Sequence, residues 1–292
     1  MTVTNHPSYV FLNDRLVSSD DAKVSVFDWG FLYGDTLFET IRVHRGVPLL
    51  WTAHVRRLLA GCEALGYPDT PDAATLRSAV DQTLAAHDYD DAVVRVTVSR
   101  GRGTAGLDMR RTIDPTLVVT ARPYEALPHR WTEEGLRVRT VLVPVRAGLP
   151  RYRTKSGNYL DQLVAIREAL EEGYDEALLV DEKRRILEGG RSNIFLVRGE
   201  SIYTPPVRLG VLPGIMRDWV IKHTRRAGFD VRAKCMLVSK RFSFDEAFMT
   251  NSVWGVMPIG QVNDIVLDRN SSHRITDKIT DLWNEWLERQ TP

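Results

Sequence analysis

The sequence predicts a mixed α/β (α+β) protein of two domains, a small N-terminal one and a larger C-terminal one, on three observations. Short runs of β-branched and aromatic residues with alternating polarity recur along the chain. Between them lie stretches whose apolar residues repeat at helical spacing, and a segment without either pattern falls near residues 123–130. At 292 residues the chain is long for one domain and comfortable for two. The expected division is 1–122, a linker over 123–130, and 131–292.

Residues 9–12, 24–27 and 36–43 read as strands of an antiparallel sheet. Thr52 can cap a helix whose stripe is Val55, Leu58, Leu59, Cys62 and Leu65, ended by Gly66 and Pro68. A second helix reads over 73–87. Strands follow at 92–99 and 116–120, separated by Gly101-Arg102-Gly103-Thr104-Ala105-Gly106. Beyond the linker, 136–145 is strand-like, and 159–172 is a helix with Leu160, Leu163, Val164 and Ala169 or Leu170 inward. Residues 177–180, 194–197, 201–203 and 246–250 are strands. A helix over 216–227 ends at Gly228, and a last one carries Ile275, Ile279, Leu282, Trp283 and Trp286.

Composition removes several function classes. A formal charge of +1 gives no overall field for nucleic acid or an acidic membrane. Cys62 and Cys235 lie far apart without a CxxC pair, so neither a zinc site nor a disulfide framework is expected, and Cys62 falls on a core stripe. Met1 to Pro7 has no basic head leading into an apolar run, and no apolar stretch is long enough to span a bilayer. The expected setting is the cytoplasm, with no metal and no membrane partner.

Seven lysines stand against thirty-two arginines, and Lys155 is the only lysine between Lys23 and Lys183. Lysine can lose its proton and attack a carbonyl, which arginine cannot. Lys155 therefore reads either as a covalent catalyst or as a chance surface residue. An imine-forming lysine most often carries pyridoxal 5′-phosphate, which demands a carboxylate for the ring nitrogen, a phosphate cradle and a substrate-carboxylate site.

Glu188, followed by Gly189 and Gly190, fits the first demand or a solvated turn. Leu212-Pro213-Gly214-Ile215-Met216-Arg217 opens a helix whose first N–H groups, at Gly214, Ile215 and Met216, would face an anion. Arg57, one turn from His54, reads as a phosphate clamp or a solvated helix residue. Arg95, Arg100 and Arg102 are cationic candidates for a substrate carboxylate. Thr250-Asn251-Ser252-Val253 offers donors or an ordinary turn. Trp29, Phe31 and Tyr33 suit a pocket, an interface or a core.

Taken in order, these residues resemble the class IV, fold type IV pyridoxal-phosphate enzymes: branched-chain and D-amino acid aminotransferases, (R)-amine transaminases and 4-amino-4-deoxychorismate lyase. The resemblance covers nearly the whole chain. Asp28 to Asp35 with Phe38-Glu39-Thr40-Ile41-Arg42 resembles the family's opening motif, and His54 to Leu58 its H-x-x-R-L helix. Lys155-Ser156-Gly157-Asn158-Tyr159-Leu160 resembles the imine-lysine segment. Asp175-Glu176-Ala177 and Glu188 to Phe195 resemble the ring-nitrogen block. Leu212 to Arg217 resembles L-x-G-I-T-R, with Met216 in place of the threonine.

Two departures bear on the substrate. Ala105-Gly106-Leu107 stands where the D-amino acid enzymes carry Arg-x-His. Asn251 to Pro258 resembles the N-S-x-x-G-x-x-P run of the lyases, whereas the Lys155 segment is more transaminase-like.

The resemblance implies an aldimine of pyridoxal 5′-phosphate on Lys155, with the freed lysine moving the α-proton and Glu188 facing the pyridinium. It implies cofactor contacts from Arg57, Tyr159, Ser192, Asn193, Gly214, Ile215, Met216, Asn251 and Ser252. Phe31, Tyr33, Arg95, Arg100, Arg102, Ser252 and Val253 are the implied substrate contacts. The implied activity is amino transfer between an amino acid (branched-chain-like or D) or amine and a 2-oxo acid. A lyase releasing pyruvate and 4-aminobenzoate is the alternative, and a non-catalytic family member the third reading. A homodimer is implied, with a cleft near the domain junction partly lined by the neighbouring chain.

Overall fold

The structure, a computed structural model, describes residues 7–104, 106–144, 154–238, 244–268 and 274–291. Its contacts divide into two units, Met1–Glu125 with Thr154–Asn158 and Gln290–Pro292, and Ala126–Arg153 with Tyr159–Arg289.

The first unit contains β1 (Tyr9–Leu12), β2 (Arg15–Ser18), α1 (Trp29–Tyr33), β3 (Thr36–His44), β4 (Val47–Pro48), α2 (Trp51–Ala64), α3 (Ala73–Ala85), β5 (Ala92–Ser99), β6 (Arg102–Gly103), β7 (Thr112–Ile113) and β8 (Leu117–Pro123). Six strands form an antiparallel sheet in the order β2-β1-β8-β5-β3-β4. Strict alternation on β3 and β5 sends Leu37, Ile41, Val43, Val94, Val96 and Val98 to one face. That face packs against Val55, Leu58 and Cys62 of α2 and Leu76, Ala79 and Val80 of α3. Asp72 caps α3 by accepting from Thr75 N–H at 2.7 Å.

Two expectations fail here. Residues 24–27 form no strand: the chain turns through an Asp28 N–H to Ser25 carbonyl bond, and Val26 and Phe27 are exposed. The cause is Asp28, which is buried, caps α1 at Gly30 N–H (2.7 Å) and accepts from the Ser99 and Thr116 hydroxyls at 2.7 Å each. Thr52 does not cap α2, because the helix starts one residue earlier, after Leu50 in a left-handed conformation.

The second unit contains α4 (His129–Glu133), β9 (Leu136–Leu142), α5 (Leu160–Glu171), β10 (Glu176–Val180), β11 (Ile186–Gly189), β12 (Asn193–Arg198), β13 (Ser201–Thr204), α6 (Ile215–Arg226), β14 (Asp230–Ala233), β15 (Glu246–Asn251), β16 (Gly255–Val262), β17 (Ile265–Val266) and α7 (Ile275–Glu288). A nine-stranded mixed sheet runs β11-β10-β9-β16-β15-β12-β13-β14, with β17 on β16. The β9/β10 and β13/β14 pairs are parallel, and α5 and α6 lie between them in sequence, as a crossover requires. Its central strands read as continuous apolar runs because both faces are buried; Ile194, Phe195, Leu196 and Val197 are all inaccessible. Phe195 stacks on Phe248 across the β12/β15 register, ring centroids 4.8 Å apart.

The inward face of α5 differs from expectation. Leu160 is 72% exposed, and Leu163, Val164 and Leu170 are also open, while Ala165 and Ala169 are buried. Small side chains let α5 lie close on the β9/β10 sheet, and the larger ones fall on the opposite side of the helix. By contacts the chain changes unit between Glu125 and Ala126, inside 123–130, and Thr154–Asn158, with Lys155, groups with the first unit, where it pairs with β3. Val145 and Ala105 lie outside the described residues. Among the described residues no helix is long and apolar enough to cross a membrane.

Candidate active site

Lys155 is positioned by backbone pairing. Phe38 N–H donates to the Lys155 carbonyl at 2.9 Å, Gly157 N–H donates to the Thr36 carbonyl at 2.8 Å, and Leu37 bridges Ser156. The segment thereby occupies the edge of β3 away from β5. The Lys155 ammonium sits 4.5 Å from the centroid of the Phe38 ring, close enough for cation–π attraction.

On the core side of β3, Glu39 is 1% exposed and meets α2 through three short bonds. Arg57 donates from Nε to Oε1 at 2.7 Å and from Nη2 to Oε2 at 2.6 Å; His54 Nδ1 lies 2.6 Å from Oε2. Burial pushes the Glu39 carboxyl up, but the hydrogen bonds and charges of His54 and Arg57 outweigh it and hold it below its ordinary range. Burial lowers the His54 pKa, opposed by Glu39 and assisted by the Arg57 and Lys155 charges. The pair is therefore carboxylate and neutral imidazole, with His54 donating from Nδ1–H. Leu37, Phe38, Glu39, Arg57, Gly61, Thr154 and Lys155 line one small crevice.

Other first-unit candidates stand differently. Arg100 is fully buried, its Nε on Asp35 and its Nη1 and Nη2 on the Gly66 and Leu65 carbonyls at 2.9 Å each. It stacks 4.5 Å from the Tyr67 ring centroid, and Tyr67 hydroxyl donates to Asp35 at 2.8 Å. Arg100 thus clamps the end of α2 and has no edge left for a substrate, contrary to the expectation. Arg102 is half-exposed and ion-paired with Asp114. Arg95 lies over the Phe38 ring at 3.6 Å from its centroid. Phe31 and Tyr33 are exposed, with Tyr33 edge-on to buried Trp29 at 5.1 Å.

The second unit gathers a separate group. Glu188 on β11 accepts at Oε2 from Leu212 N–H (3.0 Å) and from Asn193 Nδ2 (3.2 Å). Asn193 also donates to the Leu212 carbonyl at 3.0 Å, which ties the entry of α6 to β12. Gly214 is the N-cap of α6 and no side chain among the described residues caps its first turn, leaving the Ile215 and Met216 end of the helix as an anion-accepting pole. A Cβ at Gly214 would overlap Asn193 Oδ1, so this close approach requires glycine.

Ser192 Oγ and Thr250 Oγ1 are buried without a partner among the described residues, and Thr250 pairs in register with Asn193. Unsatisfied buried hydroxyls of this kind point to a bound polar group. Asn251 Oδ1 accepts from Val253 N–H (2.9 Å) and Trp254 N–H (2.8 Å), folding the Asn251-Ser252-Val253-Trp254 turn. Tyr159 is the half-buried N-cap of α5.

Sequence reasoning assigned no role to Glu39, His54 or Glu176. Glu176 is buried and accepts from Ala177 N–H (2.9 Å) and Arg191 Nε (3.1 Å), beside the Gly189–Arg191 turn. The available signal was a charged residue at an inward register of an otherwise apolar strand.

The chain belongs to the class IV aminotransferase family: residues 36–262 match the family described as Amino-transferase class IV. It is 35% identical over 279 residues to a putative branched-chain-amino-acid aminotransferase of Methanocaldococcus jannaschii, covering 94% of this chain and 95% of that one. It is also 30% identical over 262 residues to an aminodeoxychorismate lyase of Bacillus subtilis, covering 88% and 87%. The branched-chain amino acid aminotransferase of Escherichia coli superposes with a TM-score of 0.89 at 25% identity, covering 98% of this chain and 96% of that one. The mixed α/β fold is therefore fold type IV, and the chain is an enzyme of the aminotransferase class with lyases among its relatives.

Proposed function

We propose that this chain is a pyridoxal 5′-phosphate-dependent aminotransferase that moves an amino group between an amino acid or amine and a 2-oxo acid, with Lys155 as its catalytic amine. The observation that carries the reading is the pinning of Lys155 to β3, one crevice away from an arginine fixed by a buried carboxylate. The name of the M. jannaschii relative supports a branched-chain-like amino acid as donor.

The residues present fit the cofactor. The uncapped α6 terminus at Gly214, Ile215 and Met216 suits its phosphate, as does the Arg57 guanidinium; Ser192 and Thr250 offer unsatisfied hydroxyls; and Glu188 is a carboxylate held in place by Asn193 and Leu212. When bound, pyridoxal 5′-phosphate supplies an aldehyde for the amine and an electron sink for the charge left as the α-proton departs. Lys155 would hold the cofactor through Nζ, and the same amine would be the base that takes up and returns the substrate's α-proton. Glu188 would face the ring nitrogen of the cofactor, where a carboxylate keeps that nitrogen protonated. Arg57 and the α6 N–H groups orient without taking part in bond changes. Tyr159 would help to hold the cofactor through its hydroxyl, and Arg95 is the first-unit cation assigned to a substrate carboxylate.

A lyase is the second reading. It is favoured by the Asn251-Ser252-Val253-Trp254 turn and by the B. subtilis relative. The working form is a homodimer, an arrangement supported by the exposed Phe27, Phe31, Leu107 and Ile113 of the first unit. The cytoplasm is the proposed location, in keeping with the free thiols Cys62 and Cys235.

A panel of amine donors offered with 2-oxoglutarate and with pyruvate, beside Lys155→Ala and an assay of 4-aminobenzoate release, tests the reading. Amino transfer that disappears in Lys155→Ala is expected. Full activity in that variant removes Lys155 from the chemistry, and aminobenzoate release without amino transfer moves the enzyme to the lyases.

A further inference from the structure

Glu39 occupies an inward register of β3 whose other residues are Leu37, Ile41 and Val43. A carboxylate in such surroundings loses its hydration and is retained only when its lone pairs are well used. One turn of α2 uses them: His54 and Arg57, three residues apart, face the same side and deliver three hydrogen bonds of 2.6–2.7 Å. An apolar pair would fill the same space without burying charge, so what the arrangement adds is orientation. The fork from Nε and Nη2 fixes the guanidinium in its plane, and His54 fixes the carboxylate that fixes the fork. Both Glu39 and His54 are 1% exposed, whereas Arg57 retains 14% of its side-chain surface and reaches the crevice of Phe38, Thr154 and Lys155.

We propose that Glu39 and His54 are positioning residues that hold the Arg57 guanidinium in the orientation in which it clamps the cofactor phosphate. The inference rests on the reading of Arg57 as a phosphate ligand. With Nε and Nη2 both turned to Glu39, the plane in which the guanidinium presents itself to an anion is set. Fixing that plane beforehand removes the rotamer entropy that a long side chain otherwise loses on binding. Neutral His54 completes the device, since it donates one hydrogen bond to Glu39 without adding a charge that would compete with Arg57 for the carboxylate.

The test compares pyridoxal 5′-phosphate with pyridoxal, which lacks the phosphate. Both are titrated into the full chain, stripped of cofactor, for wild type, Arg57→Ala, Glu39→Gln, His54→Ala and His54→Asn. Each variant is checked by thermal melting, and the phosphorus NMR shift of the bound phosphate is recorded. Glu39→Gln and His54→Ala are expected to weaken pyridoxal 5′-phosphate about tenfold, the scale on which outer partners of a ligand-holding group act. Pyridoxal binding stays unchanged in both, and their phosphorus shift moves. His54→Asn, which keeps an N–H near the Nδ1 position, restores affinity and shift.

Equal losses for the two ligands would mean that Glu39 and His54 merely support the fold, overturning the inference. A phosphate-specific loss in Arg57→Ala with none in Glu39→Gln and His54→Ala overturns it alone. Arg57→Ala without a phosphate-specific loss removes the underlying reading as well. Should Glu39→Gln fail to fold, the two His54 variants decide.

Discussion

Arg100→Leu offers the sharpest separation between a structural arginine and a substrate-binding one. The guanidinium is inaccessible to solvent, bonds to Asp35 and to the Leu65 and Gly66 carbonyls, and covers the Tyr67 ring. Those two carbonyls belong to the C-terminal end of α2, where helix geometry leaves acceptors unpaired. Leucine would leave both carbonyls and the Asp35 carboxylate without this partner. Truncating one side of a buried pair costs about 3–5 kcal/mol. At about 2–4 °C per kcal/mol for a chain of this size, the melting transition falls by about 10 °C. Arg100→Lys restores the charge but not the three-way fork, and its melting point lies between the other two. Urea unfolding gives the free energy, and steady-state kinetics below the transition give KM. Wild-type stability combined with a large rise in KM for a dicarboxylate substrate would refute the clamp.

Three further outcomes follow from the geometry. Gly214→Ala pushes Asn193 away from Glu188 and Leu212, and cofactor affinity measured by titration drops about tenfold as a supporting contact is lost. Gly255→Ala, at φ +75° with the Trp283 indole against it, destabilises by about 2 kcal/mol in urea unfolding. His54 and Glu39 both have folded pKa values below their ordinary 6.5 and 4.5, so each contributes stability that is complete above its ordinary value and is lost as pH falls. Unfolding free energy measured against pH therefore declines from about pH 6.5 downward, and His54→Asn flattens the upper part of that decline.

Strands β1 and β5 run over the very residues that alternation delimits, because turn-forming residues punctuate both. Where alternation lacked a core to face, as at Val24 and Val26, it misled: the buried Asp28 dictates a turn and a short helix instead. The β16 strand went unseen because it is buried on both faces and has no period, and its start is masked by a glycine turn. For the site, Lys155, Arg57 and Glu188 could be nominated from residue type and order. Glu39 and His54 could not, because their roles depend on strand register and on which face of α2 meets β3. Arg100 was misassigned for a related reason: residue type gives its charge, whereas its burial comes only from the packing of Tyr67 and the end of α2.

The pairing of the Lys155 segment with β3 also sets an order of synthesis. The edge of β3 that takes Thr154–Asn158 stays bare on the ribosome until those residues emerge, some thirty positions after the rest of the first unit's sheet has been made. An unpaired strand edge is a template for foreign pairing. Nascent chains released before residue 155 would carry that edge into solution without the lysine, so premature termination there yields sticky products that are also inert. Cutting the gene at a boundary near 125 would do the same, and a separately expressed first unit needs the 154–158 peptide grafted back to close its sheet.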